Sequence, residues 1–382
     1  MSEKGRVAVL DLFAAPVGGT SKGVLYSELA KHWSLEGVTE RPDRLLKMES
    51  FLKSFHVRRG RWARAYDDEY VRGVFRTSSF RHFGEVYRHA LERRRGSFDL
   101  VLQIGCVFEK AWDDPEIAYC TYHDTNVLLS VRGWPRGVPF ASDEERDAYV
   151  ALERASLARV TRVMTYSEWA RRSFIDDYGL SPERVVKVGS SLKLREIPEA
   201  PHAFDGKTVL FVGRELGVKG ASILLEAMAE VRRRVPGARL LFRGPRPEGP
   251  PSLLEGVEIL PPITDRAVMR RLYERVSVLA HPAIYDPYPS VILEAMAMGI
   301  PCVASDVGAI GEQIADGTTG LLFPRGDAGA LADRLVTLLS DRSLMARMGE
   351  AGRARALAIA SPSLVAANID RVFTEALASV RR

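Results

Sequence analysis

The sequence predicts an α/β fold of two doubly wound units with parallel sheets, and three observations carry that prediction. Short continuous apolar runs alternate with helical patterns from Val7 onward, as buried parallel strands between helices do. The alternation stops at a charged, proline-containing stretch, KLREIPEAPHAFDG at 193–206, and restarts at Thr208. At 382 residues the chain exceeds what one hydrophobic core usually serves. The expected organisation is a first unit over 1–192, a linker over 193–206 and a second unit over 207–360. One more helix, Ser361–Arg382, follows the completed second unit and has to dock somewhere.

In the first unit, Val7–Leu12 reads as a buried strand, followed by Gly18-Gly19 and a helix pattern from Ser21 to Trp33. Strand, glycine turn and helix together bring backbone amides up to a ligand. GGTSKGV nevertheless lacks the Lys-Ser/Thr of a P-loop and the glycine spacing of dinucleotide enzymes, and a plain tight turn is an equal reading. The segment from Glu40 to Gly96 is charged with helical period. Strands follow at Asp99–Gly105, Ile117–Tyr122, Arg162–Tyr166 and Val185–Val188, with a helix at Glu168–Tyr178. His123-Asp124 stands at a strand's carboxyl end, where α/β sheets place ligands, so His123 is a candidate site residue as well as a structural one.

The second unit repeats the pattern with TVLFVG at Thr208, a helix from Ser222, RLLFRG at Arg239 and VEIL at Val257. A helix at Asp265–Val276, the strand VSVLA and a strand at Cys302–Ser305 continue it. Between those strands lies HPAIYDPYPSVILEAMAMG, His281–Gly299. Pro289 suits a helix start, because that N–H has no intrahelical partner, and Gly299 with Pro301 ends the helix. Free amides and the dipole at such a start form an anion site. Asp286 precedes it, and Ser290 and Glu294, four apart, share one face beside it. Carboxylates flanking an anion site would suit a phosphorylated sugar, whereas the plain alternative is a capped amphipathic helix with a solvated Glu. In FVGRELGVKG, an Arg fork (Arg214) and a Lys point charge (Lys219) stand at a strand–helix junction, as a diphosphate requires. Arginines outnumber lysines 44 to 10 and Lys219 is the last lysine, so its presence runs against the chain's own bias.

Composition sets the outer limits. With 46% apolar and 27% charged residues the chain reads as a globular protein, and no apolar run approaches the roughly 20 residues of a membrane span. The apolar stretch near the N-terminus is too short for a signal peptide. Cys106, Cys120 and Cys302 have no metal spacing and fit buried packing in a reducing, cytoplasmic setting. No Asp-x-Asp triplet or His/Cys ligand cluster occurs, so no metal and no cofactor is expected; protein cations would stabilise a diphosphate leaving group. Net charge is +5, but His56–Gly96 holds eleven arginines against five acids with aromatics interleaved. That segment suits a solvated basic face, or peripheral contact with an anionic inner membrane surface or a phosphorylated acceptor. No nucleic-acid module supports nucleic-acid binding.

The second half resembles the retaining glycosyltransferases of family 4 (glycosyl transferases group 1). The matching pieces are VGR-x4-KG at Val212–Gly220, acid-x7-Glu at Asp286–Glu294 within LEAMAMGIPCVAS, VGAIGE at Val307–Glu312 and DGTTGLLF at Asp316–Phe323. Gly18-Gly19, His123-Asp124 and TYSEWARRSF at Thr165–Phe174 match more weakly. The resemblance implies the GT-B fold, two facing Rossmann-like domains with the closing helix crossing back onto the first. It also implies retaining transfer from a nucleotide-diphosphate sugar to an acceptor hydroxyl, by front-face attack in which a donor phosphate oxygen takes the acceptor's proton. In that scheme Glu294 holds the ribose, and Asp286, helped by amides near Tyr288 and Ser290, holds the sugar. Arg214 and Lys219 neutralise the diphosphate. His123 reaches the donor sugar or the reacting face, Gly18-Gly19 approach phosphate or acceptor, and the base lies near Arg243-Gly244 and Ile263-Thr264. The chain departs from the family pattern with Asp286 in place of Glu, Pro289 in place of a frequent Gly, and VGSSLKL in place of Pro-Asn-Gly. A phosphorylase of the same fold and a catalytically silent sugar-nucleotide binder are the alternative readings.

Overall fold

The computed structural model describes residues 4–12, 23–38, 40, 43–54, 69–134, 140–194, 197, 204–247, 250–261, 263 and 265–381. Its contacts divide the chain into unit 1, Met1–Gly189 with Val365–Arg382, and unit 2, Ser190–Leu364.

Unit 1 holds β1 (Arg6–Leu10), β2 (Ser34–Val38), β3 (Leu100–Ile104), β4 (Ala118–His123), β5 (Arg162–Thr165) and β6 (Val185–Lys187), ordered β2-β1-β3-β4-β5-β6 with every pair parallel. The central strands are the apolar runs of the sequence. LVLQI of β3 and AYCTYH of β4 are buried at every position, as strands covered on both faces must be. The edge strand β2 was not foreseen. SLEGV alternates exposed and half-buried residues and contains Gly37, so it carries no apolar run, and pairing with β1 defines it.

The final helix, Pro362–Val380, places its residues from Val365 onward in unit 1, as the resemblance implied. Val365, Ile369, Val372 and Phe373 share a helical face and are buried in one core cluster with Val7, Val9 and Trp33. Trp33 meets Phe373 edge-on at 5.4 Å and donates from Nε1 to Asp370 Oδ1 at 2.8 Å. By length and composition, Arg342–Val380 passes the test for a membrane-crossing stretch, against the sequence expectation. Two separate helices make it up, Arg342–Ala360 and Pro362–Val380, and their apolar residues Met345, Ala356, Ile369 and Phe373 are buried within the units.

Unit 2 holds β7 (Thr208–Val212), β8 (Arg239–Arg243), β9 (Val257–Leu260), β10 (Val278–His281), β11 (Cys302–Ser305) and β12 (Gly320–Phe323), ordered β12-β11-β10-β7-β8-β9 and all parallel. From β7 the chain winds outward through β8 and β9, then returns to β10 on the other side of β7. That reversal opens a crevice at the carboxyl ends of β7 and β10, the place where open α/β sheets bind ligands.

Asp205, at the end of the charged 193–206 stretch, ties the entry of β7 to that of β10. Its carboxylate accepts from Thr208 N at 2.9 Å and Ser277 Oγ at 2.7 Å and pairs with Arg239 at 3.2 Å. Burial raises the Asp205 carboxyl, but the hydrogen bonds from Thr208, Ser277 and the Lys207 amide outweigh it and hold the group well below the carboxylate range.

Candidate active site

Glycine chemistry builds the crevice. Gly220 begins the helix Ala221–Arg234 with φ +70°, and a Cβ there would stand 1.8 Å from the Pro282 carbonyl oxygen. Only glycine lets the loop after β7 approach the loop after β10 so closely. Ile284 N then donates to Val218 O at 2.8 Å, locking the two loops together. Gly308 does the same from a third side: with φ +57°, its Cβ would lie 2.2 Å from Asp286 O, and Ala309 N donates to Pro287 O at 3.0 Å. The VGR-x4-KG and VGAIGE pieces of the sequence are thus struts for one loop, Pro282–Pro289.

That loop carries one buried carboxylate held by two donors from outside it. Asp286 Oδ2 accepts from Lys219 Nζ at 2.6 Å and from His281 Nε2 at 3.0 Å. Asp286 is 7% exposed and His281 1%. Burial alone would raise the Asp286 carboxyl. The His281 hydrogen bond and charge, together with Lys219, outweigh that effect and hold it below its ordinary value, so it is a carboxylate at neutral pH. The helix Ser290–Ala297 follows, with Pro289 at its N-cap and no side-chain cap. Ser290 Oγ accepts from Lys193 Nζ at 3.0 Å. One turn on, Glu294 is 5% exposed and accepts from Tyr273 OH at 3.1 Å. Tyr288 is buried, and burial, with Glu312 nearby, pushes its hydroxyl up to about 12, so it stays protonated.

The other expected residues fall as follows. Arg214 follows β7, is exposed, and makes no ion pair among the described residues. Gly244 follows β8, where a Cβ would come within 2.3 Å of Gly213 O, so the loops after β7 and β8 also touch. Arg243 Nη2 donates to Ile263 O at 2.6 Å, joining the two positions expected near the base, while Thr264 lies outside the described residues. Gly18 and Gly19 also lie outside them. His123 belongs to unit 1 and ends β4. It is 1% exposed, packs against Phe174 at 4.9 Å between ring centres, and neither ring nitrogen has a hydrogen-bond partner among the described residues. Burial lowers it to about 3, so it is neutral.

Sequence reasoning missed the supporting residues. His281 opened the recognised stretch without a role, and Tyr273 and Lys193 lie 21 and 97 residues from the groups they bond. Short-range spacing could have found only the His281–Asp286 pair. Among the described residues, no group of three or more His, Cys, Asp or Glu side chains could hold a metal ion.

Residues 206–341, which contain every one of these unit 2 groups except Lys193, match the family Glycosyl transferases group 1. The match lies within the second unit. Among its relatives is the D-inositol 3-phosphate glycosyltransferase of Nocardia farcinica, 28% identical over 69% of this chain and 64% of that protein. Another is the phosphatidyl-myo-inositol mannosyltransferase of Mycobacterium leprae, 34% identical over 54% of this chain and 57% of that protein. The chain therefore spans somewhat under two thirds of the length of these two relatives. In structure it resembles the sucrose-phosphate synthase of Thermosynechococcus elongatus, with a TM-score of 0.70, 18% identity and coverage of 98% and 100% of the two chains. It also resembles Anabaena HepE in complex with UDP and glucose, with a TM-score of 0.63, 15% identity and coverage of 97% and 100%. The fold is GT-B, with two Rossmann-like units.

Proposed function

We propose that this protein transfers a sugar, with retention and without a metal, from a nucleoside diphosphate sugar to an acceptor hydroxyl. The observation that carries the reading is the convergence in one crevice of Lys219, Asp286, the uncapped helix start at Ser290 and, one turn on, Glu294. Each part suits one piece of such a donor. Glu294, held by Tyr273, offers carboxylate oxygens to the ribose hydroxyls. The helix amides, Lys219 and Arg214 face the diphosphate, and Asp286 accepts from the sugar. Lys219 can serve two groups, because an ammonium has three donors and Asp286 uses one.

In the proposed step the acceptor oxygen bonds to the anomeric carbon as that carbon's bond to the phosphate oxygen breaks. The acceptor's proton passes to the departing phosphate, and the nucleoside diphosphate leaves with its charge met by Lys219, Arg214 and the helix start. Incubating the protein with nucleotide sugars and candidate acceptors in excess EDTA, and reading product and anomeric configuration by NMR, tests this. Retained configuration with turnover in EDTA is expected. Inversion, or activity that needs added Mg²⁺ or Mn²⁺, would contradict the corresponding part.

For the acceptor we propose a phosphorylated or lipid-linked alcohol at an anionic membrane face. Two features support it: the relatives named for inositol 3-phosphate and phosphatidyl-myo-inositol, and the helix Arg44–Ser54, which exposes Met48, Phe51 and Leu52 beside Lys47 and Lys53. Co-sedimentation with phosphatidylglycerol vesicles that weakens with salt is expected; equal binding to phosphatidylcholine vesicles would count against it.

A further inference from the structure

If Asp286 accepts from a donor-sugar hydroxyl, one of its two oxygens is already committed before any ligand arrives. Both hydrogen bonds, from Lys219 Nζ at 2.6 Å and His281 Nε2 at 3.0 Å, land on Oδ2. Oδ1 receives none among the described residues. An ionised carboxylate only accepts, so Nε2 must carry the imidazole proton. The two donors differ in kind. Lys219 reaches Asp286 on a flexible four-carbon stem and can swing toward a phosphate. His281 is a rigid ring at the end of β10, with its backbone in register with Ala304 of β11 and 1% of its surface exposed. The terminal torsion of an aspartate is broad, so a single mobile donor leaves the carboxylate free to roll.

We propose that His281 is a positioning residue for donor-sugar recognition. Its Nε2–H fixes the roll of the Asp286 carboxylate so that Oδ1 is presented to a sugar hydroxyl while Lys219 is left able to engage the diphosphate. This rests on the nucleoside diphosphate sugar reading and adds to it the group that sets where the shortened acid points. It also separates two contributions to donor affinity. The nucleoside diphosphate part depends on Lys219 and Glu294, and the sugar part depends on His281 through Asp286.

The test is calorimetric titration of the full chain with UDP, UDP-glucose, GDP and GDP-mannose as probes, for the native protein and for His281→Leu, His281→Asn and His281→Gln. The readout is the affinity of each sugar nucleotide relative to its own diphosphate. Leu removes the donor, and Asn places its amide near the Nδ1 position, too short to reach Oδ2. Both should lower that ratio about tenfold while leaving the diphosphate affinity within about twofold, as expected when one charged hydrogen bond is lost. Gln, whose amide reaches the Nε2 position, should restore the ratio. An unchanged ratio in Leu and Asn overturns the inference. So does a parallel loss of diphosphate and sugar-nucleotide binding, which would mark His281 as crevice packing. If the native protein binds none of the four probes, the donor reading itself fails and this inference falls with it. Native binding with an unchanged ratio in the variants defeats the inference alone.

Discussion

Each unit ends its fourth strand on a buried histidine, and the two histidines have opposite surroundings. His281 of unit 2 is bonded to Asp286, whereas His123 of unit 1 has neither ring nitrogen bonded among the described residues. The carboxylates of the two units differ in the same way. In unit 2, Asp286 is buried beside an ammonium and an imidazole and is held below its usual range. In unit 1, Glu153 is buried with only the Tyr178 hydroxyl and the Val127 amide as partners among the described residues, and burial raises it to about 7. One architecture therefore supports two electrostatic regimes. Where the chain places a cation beside a buried acid, the acid stays charged at neutral pH. Where it does not, the acid titrates near neutrality and becomes a liability to the fold.

The largest effect that could break this comparison is catalytic. Lys219→Ala should lower turnover about 100-fold or more, because it removes the cation proposed to meet the diphosphate and leaves Asp286 a buried, less compensated charge. His123→Ala, in unit 1, should keep the nucleoside diphosphate affinity while changing turnover. Equal losses of diphosphate binding in both variants would erase the distinction between the units.

A second effect is structural. Gly220→Ala would set a Cβ against the Pro282 carbonyl in a left-handed conformation, and about 2–4 kcal/mol of destabilisation is expected from urea unfolding. A neutral outcome would mean the two loops are not locked as described.

The third effect is in pH dependence, and its sign differs between the units. Glu153 has a folded value near 7 against 4.5 unfolded, so its contribution to stability is complete at low pH and is lost as pH rises through that window. The loss amounts to about 3 kcal/mol. Glu153→Gln should flatten the stability profile between about pH 5 and pH 7, most visibly at the upper end. Asp286 is lowered instead, so its contribution is present above the ordinary carboxylate range and is lost only as pH falls through its depressed value. A Glu153→Gln profile parallel to that of the native protein would remove the contrast.

Much of unit 2 could be read from sequence because its signals are local. TVLFV and RLLFR are apolar runs that can be little but buried strands, and the Asp286–Glu294 spacing lies within one loop and one helical turn. The edge strand β2 could not be read, since its alternation of exposed and half-buried residues comes from pairing with β1. The supporting partners were also hidden. Tyr273 reaches Glu294 and Lys193 reaches Ser290 only after the sheet has closed, and a sequence carries no mark of contacts at those separations. The glycines were visible as punctuation, but the reason for Gly220 and Gly308, close backbone approach to Pro282 and Asp286, is three-dimensional.

The central claim, that the β7–β10 crevice of unit 2 takes a nucleoside diphosphate with Glu294 on the ribose, is tested most directly by titrating UDP and GDP into the native protein and Glu294→Ala. The account predicts that at least one of the two binds the native protein and binds the variant about 100-fold more weakly, the cost of losing a charged acceptor shared by two hydroxyls. Equal affinity for both proteins would contradict it.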